Sequence, residues 1–333
     1  MTYSSALEVI EFFAEQQKRD HINWLKLGLV SNLKEDEFFA IDVGNGSYRL
    51  APYPESSTRL FRGQNTDYGI CLPSLYRGNT ELVNRILNVA KIHELKQSLQ
   101  TLDGYNGKSQ ILGLDFSVDY EALAQHYGLA SRYIDFSSNP LVAGFFAVTK
   151  YDAERSEYSL VEPQGTGIFY EINMAIEIAR SNDIDIIGLQ PFHRPAQQYA
   201  YGIKCSKKGL KHKYLVTEYK FFHGNQSYKI FDFTDSGKKL FPEDPVLSIV
   251  NKVKNTNYLS LSSVKWAMES IQVRNLKKQL KLLEKLDVNV GMDLPDYVTS
   301  EEKTKVASSW KEQKIYFNSK VKIRPVANHL ELS

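Results

Sequence analysis

At 333 residues, 42% of them hydrophobic and 24% charged, the chain has an ordinary globular composition. At roughly 100–200 residues per domain it is long enough for two domains, and it can bury a core without disulfide or metal staples. Its 41 basic and 39 acidic residues leave a net charge of +2, so bulk charge predicts neither a nucleic-acid nor a membrane partner.

In chain order, residues 4–17 read as an amphipathic helix, with Ala6, Val9, Ile10, Phe13 and Ala14 on one face. From residue 37 to 54 the text changes to short strands broken by the turn Gly44-Asn45-Gly46. Arg59-Leu60-Phe61 reads as a strand ending at Gly63, and a helix follows over about 80–102. A second helix, about 118–127, stops at Gly128 with a glycine cap. Tyr133-Ile134 is a short strand. Asn139-Pro140 then opens a helix to about residue 150, Asn as the cap and Pro at the first position. That helix is apolar nearly all round and is expected to be deeply buried. Residues 167–172, 215–222 and 228–233 read as strands. The character changes at about residue 250, where a Leu- and Lys-rich segment over 264–286 reads as one long helix. The expected division is an α+β domain over 1–250 and a C-terminal helical extension over 251–333.

Several common site motifs are absent. The longest apolar run, 141–148, is too short to span a bilayer, and Glu8 and Glu11 precede any sustained apolar core, which argues against a secretory signal. Cys71 and Cys205 are the only cysteines, which fits a cytoplasmic protein and excludes a thiolate zinc site. In Gly104-Tyr105-Asn106-Gly107-Lys108-Ser109 the first glycine of a phosphate loop is missing, since Leu102 occupies its place. Gly165-Thr166-Gly167 has Tyr170 where a dinucleotide fingerprint needs its third glycine. The seven histidines never take metal-ligand spacing with carboxylates. Residues 204–213 hold Lys204, Lys207, Lys208, Lys211, Lys213 and His212 without an acid. A solvated loop is the preferred reading over a nucleic-acid grip, because interleaved aromatics are missing.

Three stretches exceed what folding needs. In Leu60-Phe61-Arg62-Gly63-Gln64, a five-donor guanidinium stands at a strand end beside a glycine that lets a ligand approach the backbone. The stretch from Gln125 to Ala147 crowds His126, Tyr127, Arg132, Asp135, Ser137 and Ser138 at the junction of a strand and a buried helix, whose N-terminus offers N–H groups to an anion. The plain alternative there is ordinary capping, with Arg132 and Asp135 as a structural ion pair. The third stretch runs Arg194-Pro195-Ala196-Gln197-Gln198-Tyr199-Ala200-Tyr201-Gly202.

Together with Leu72-Pro73-Ser74-Leu75-Tyr76-Arg77 and Leu240-Phe241-Pro242, these stretches resemble the FRG domain family of bacterial proteins, named for its Phe-Arg-Gly tripeptide. The resemblance covers about residues 5–250. The chain departs from the family in one respect: the family usually has glycine directly after the paired glutamines, where this chain has Tyr199. The order of motifs also resembles a distant ADP-ribosyltransferase of the arginine–serine–glutamate type. That likeness implies a split, mostly antiparallel sheet with flanking helices, and NAD as substrate. It implies catalytic roles for Arg62, His126, Asp135, Ser137 and Gln198. Nucleotide contacts would come from Arg62, Gly63, Tyr127, Arg132, Ser138 and Gln197. A glutamine cannot act as an anion, so Asp135 or Glu218 is expected to supply the carboxylate. The implied function is a cytoplasmic effector in toxin or phage-defence systems that cleaves NAD or transfers ADP-ribose to an unknown macromolecular acceptor. The alternative is a non-catalytic module that recognises a nucleotide, nucleic acid or phage protein.

Overall fold

In the computed structural model, the described residues are 2–26, 38–44, 47–52, 59–78, 81–102, 108–111, 114–117, 119–152, 155, 157–173, 184–187, 192–212 and 214–322. The turn residues Asn45 and Gly46, the loop 103–107, Val118 and Lys213 lie outside them.

The elements run β1 (Thr2–Tyr3), α1 (Ala6–Lys26), β2 (Phe38–Gly44), β3 (Ser47–Pro52), β4 (Arg59–Gln64), α2 (Leu82–Gln100), β5 (Lys108–Ile111), β6 (Leu114–Ser117), α3 (Tyr120–His126), β7 (Tyr133–Ser137) and α4 (Pro140–Val148). They continue through β8 (Thr149–Asp152), β9 (Glu157–Leu160), β10 (Thr166–Asn173), β11 (Ile184–Ile186), α5 (His193–Gln197), β12 (Ala200–Lys204), β13 (Val216–Phe222) and α6 (Ser227–Phe233). The last are α7 (Leu247–Asn255), β14 (Tyr258–Ser260), α8 (Leu261–Ser270), α9 (Leu276–Glu284), β15 (Asn289–Gly291), α10 (Ser300–Lys320) and β16 (Val321–Lys322).

The main sheet has seven strands in the order β1-β13-β10-β4-β7-β12-β11, antiparallel except where β1 runs parallel to β13. Alternation along β4 divides its side chains between the two faces. Phe61 joins Phe13, Ala143, Ala147, Phe169 and Phe221 under α1 and α4, with the Phe13 and Phe61 rings stacked at 4.4 Å. Leu60 joins Ile134, Ile168, Tyr170, Ile203 and the two cysteines on the other face. A second sheet, in the order β16-β2-β3-β6-β5, contains the expected 38–52 strand pair.

α2 carries apolar residues on two faces. Ile92, Leu95 and Leu99 pack with α3, α7 and the start of α10, while Val83, Ile86, Val89 and Ala90 pack with α8 and α9. The residues after 250 therefore share a core with α2 and α3. Among the described residues, no helix is long and apolar enough to cross a membrane.

Two sequence expectations change. Residues 228–233 form a helix rather than a strand. Ser227, Ile230 and Thr234 are buried at helical spacing while Tyr228 and Phe233 face solvent, so the apparent alternation of aromatics is surface, not a pleat. The long helix expected over 264–286 is two, α8 and α9, separated by a turn in which Gln272 and Asn275 take positive φ. Asn275 caps α9 by accepting from the Lys278 N–H, an arrangement that a continuous hydrophobic stripe conceals.

Candidate functional site

β4 and β7 pair only where Phe61 faces Ser137. Beyond that point the ladder is not continued, and a cavity of about 420 Å³ opens between the strand ends, α3, α4 and the segment 149–151. Arg62 bridges the divergence, its Nη1 donating to the Asp135 carbonyl oxygen at 2.8 Å, while its covered Nε has no hydrogen-bond partner. Arg77 lines the same cavity and donates through Nε to the Leu72 carbonyl at 3.0 Å. Much of Arg77 is exposed, yet its guanidinium is desolvated in the wall and stands near that of Arg62; both effects lower its pKa without discharging it. Two guanidiniums sharing one wall favour an anionic ligand.

His126 is held from one side. Its Nδ1 lies 2.9 Å from the Gln198 side-chain oxygen, and the Gln198 amide nitrogen donates to the Leu240 carbonyl at 3.0 Å. A carbonyl only accepts, so the carboxamide has one orientation, and His126 carries its proton on Nδ1 when neutral. The other nitrogen, Nε2, is buried and lies 3.6 Å from Asp135 Oδ1. Neither of these two atoms has a hydrogen-bond partner. The second Asp135 oxygen accepts from Gln125 Nε2 at 3.3 Å, and Gln125 Oε1 is itself fixed by the Ser74 and Ser131 hydroxyls. The imidazole and carboxylate are thus oriented from behind, and both residues line the cavity, with Nε2 and Oδ1 covered and facing each other. Phe146 contributes an apolar wall, and the exposed rings of Tyr68 and Tyr151 flank the mouth.

Arg62, Gly63, His126, Asp135, Ser137 and Gln198 all line this cavity, although they are spread over more than 130 positions. Their parts differ from the sequence reading. The Ser137 hydroxyl donates to the Gln198 carbonyl at 2.8 Å and accepts the Asn139 N–H at 3.0 Å, so it positions the Gln198 loop. Both ends of the Gln198 amide are likewise engaged by protein. Gly63 serves packing rather than ligand approach: a Cβ there would stand 2.0 Å from the Ala143 carbonyl oxygen of α4.

Tyr127, Arg132, Ser138 and Gln197 do not line the cavity. The Tyr127 hydroxyl donates to the buried Asp244 at 2.6 Å, and the Arg194 guanidinium lies over the Tyr127 ring. Asp244 also accepts from the His193 and Arg194 N–H groups, which fixes the start of α5 and hence Gln198. Arg132 pairs with Glu121, at 2.6 Å, and not with Asp135. Ser138 accepts from Gln17 through its carbonyl, and Gln197 is exposed. The N-terminus of α4 is closed by its own Asn139 side chain, which accepts the Leu141 N–H, and Pro140 has no N–H to offer. Glu218, the other expected anion, pairs with Lys211 at 2.7 Å and does not line the cavity. The residues missed as site components are Gln125, Arg77 and the Tyr68 and Tyr151 rims. Gln125 and Arg77 stood inside the family-like stretches; the two tyrosines carried no signal.

Tyr199 takes φ +47°, the left-handed region that favours glycine, at the position where FRG-like sequences usually have one. Tyrosine there costs about 1–2 kcal/mol of backbone strain. Tyr199→Gly is expected to raise stability by about 1 kcal/mol, with denaturant unfolding as the measure.

The family model described as FRG domain matches residues 57–156, less than a third of the chain. It spans Phe61-Arg62-Gly63, His126, Asp135 and α4, but not Gln198. No curated protein and no solved structure matches the chain.

Proposed function

We propose that the chain, whose residues 57–156 match the FRG domain, breaks the nicotinamide–ribose bond of NAD and passes the ADP-ribosyl group to water or to a macromolecular acceptor. One observation carries this reading: His126 and Asp135, whose Nε2 and Oδ1 are covered, unpartnered and 3.6 Å apart, line one cavity with Arg62. The choice of NAD comes from the resemblance to ADP-ribosyltransferases.

Each residue has a distinct task in this reading. Arg62, with Arg77 beside it, binds the pyrophosphate through its planar donors. Phe146 and the tyrosines of the mouth give the aromatic base apolar surface. As the carbon–nitrogen bond lengthens, positive charge grows on the ribose, and the Asp135 carboxylate stabilises it. The bonding electron pair leaves with nicotinamide. An attacking hydroxyl then forms the new carbon–oxygen bond, and its proton passes to His126 Nε2, which the Gln198 contact keeps unprotonated in the neutral ring. Gln198 and Ser137 are positioning residues. Such an activity suits the toxin and phage-defence setting that the FRG resemblance implies.

The decisive assay incubates purified protein with NAD and measures released nicotinamide. Arg62→Lys keeps the charge but loses the fork, and is expected to reduce kcat/KM at least 30-fold, about 2 kcal/mol, with the fold intact by circular dichroism. Nicotinamide release at the wild-type rate by the lysine variant would remove Arg62 from the proposed role.

A further inference from the structure

A second cavity, of about 590 Å³, lies between the start of α2, the loop 204–212 and the turn after α8. It shares no lining residue with the first. Arg85, Arg132, Lys204, Lys207 and His212 line it together with Tyr76, Leu82 and Ile271, and no acidic residue does. The nearby carboxylate is that of Glu121, which is buried and already engaged. Both of its oxygens accept from Arg132, and Lys204 stands 3.8 Å away. The remaining Arg132 contact, from Nη1 to the Ser270 carbonyl, ties down its guanidinium. Glu121 thus accounts for about one of the four formal cations. Arg85 and Lys207 have no acidic partner among the described residues, and Arg85 Nε is buried without any hydrogen-bond partner. Lys208 can only donate to His212 Nε2, at 3.3 Å, so neutral His212 keeps an N–H on Nδ1.

We propose that this cavity binds a small phosphorylated ligand, its phosphate held by Arg85, Lys207 and Lys204. Arg85 lines the cavity without an acidic partner among the described residues and with its covered Nε unpaired, so its donor capacity is unused, and a phosphate that reaches the guanidinium meets it with charge-assisted hydrogen bonds. The volume suits one nucleotide-sized molecule better than a bare ion. Tyr76, Leu82 and Ile271 supply an apolar wall beside the cations, an arrangement that a nucleoside base would cover. The anchors of the two cavities stand one turn apart on α3: Glu121 holds Arg132 here, and Gln125 holds Asp135 in the first.

Calorimetric titration of the full chain with inorganic pyrophosphate at low ionic strength tests the assignment, with ATP as a second probe. Because the first cavity can also take a pyrophosphate through Arg62, the binding assigned here is the saturable phase that persists in Arg62→Gln, and it is expected to weaken at least tenfold with Arg85→Gln and with Lys207→Gln. Lys207 lies in the surface loop, so its variant serves even where Arg85→Gln fails to fold. Tighter binding of ATP than of pyrophosphate, with the same dependence on Arg85 and Lys207, assigns the apolar wall to a nucleoside; equal affinities assign the site to free polyphosphate. Absence of saturable binding overturns the proposal, as does affinity that tracks Arg62 and ignores both Arg85 and Lys207. So does a short single-stranded DNA that binds more tightly than either probe and depends on Lys208 and Lys211 instead. Because the two cavities are read through different residues, failure here leaves the NAD assay independent.

Discussion

Asp135→Asn is expected to lower nicotinamide release by two orders of magnitude or more while leaving the melting temperature nearly unchanged. The substitution is isosteric and keeps an oxygen that can accept from Gln125, so the contacts behind the carboxylate survive. It removes the only carboxylate lining the cavity among the described residues, at the point where positive charge develops on the ribose. A hundredfold loss corresponds to about 2.7 kcal/mol of transition-state stabilisation, the range found when one preorganised electrostatic group is deleted. The structure also removes the competing expectation. Had Asp135 neutralised Arg132, its loss would strand a partly buried cation at a cost of about 3–5 kcal/mol. Arg132 instead has both oxygens of Glu121. Paired measurement of kcat/KM and thermal unfolding separates the two: a large drop in melting temperature with unaltered turnover would make Asp135 structural.

Gly63→Ala should have the largest effect on the fold. The added methyl would meet the Ala143 carbonyl oxygen at 2.0 Å, the Ala147 Cβ at 2.6 Å and the Ala147 nitrogen at 2.9 Å. None of these is the end of a flexible side chain, so α4 has to lift from β4 as a body. Phe61, Ala143, Ala147 and Phe169 share one apolar cluster at that contact, and opening it costs on the order of 3 kcal/mol or more. Thermal unfolding reads the loss. Activity should fall as well, because Val142, Ala143 and Phe146 of the displaced helix line the cavity. A variant that melts with the wild type would show that α4 and β4 separate freely, against the close packing described above.

Local signals in the sequence were reliable where one residue dictates its own backbone. Asn139-Pro140 opens α4 as expected, with the Asn side chain on the Leu141 N–H, and Gly128 follows α3 with φ +82°. The grouping of Arg62, His126 and Asp135 was also legible, because polar side chains at strand ends and helix starts are not needed for packing. Partner choice was not. Arg132 and Asp135 are near neighbours in sequence, but Arg132 stands just before β7 and an odd spacing of three sends two side chains to opposite sides of an extended chain; Glu121, eleven residues away on α3, is the closer charge. Tyr127 next to His126 looked like a second ligand group, yet consecutive residues at the end of a helix point in different directions, and Tyr127 turns to Asp244. The role of Gln198 depends on Leu240 and His126, contacts 42 and 72 residues distant that no local pattern encodes.

The single residue pair joining β4 to β7 has a consequence for how this protein can be cut or recombined. The matched stretch 57–156 contains both strands but neither of their continuous neighbours: β10 lies along β4, and β12 along β7, and both come later in the chain. Excised alone, the stretch would keep one rung between its two main-sheet strands and lose the ladders that hold them apart at the cavity. It is a stretch of recognisable sequence rather than a transplantable unit. A chimaera that exchanges it between relatives has to carry β10 and β12 as well, or inherit Arg62 and Asp135 on strands with no fixed spacing.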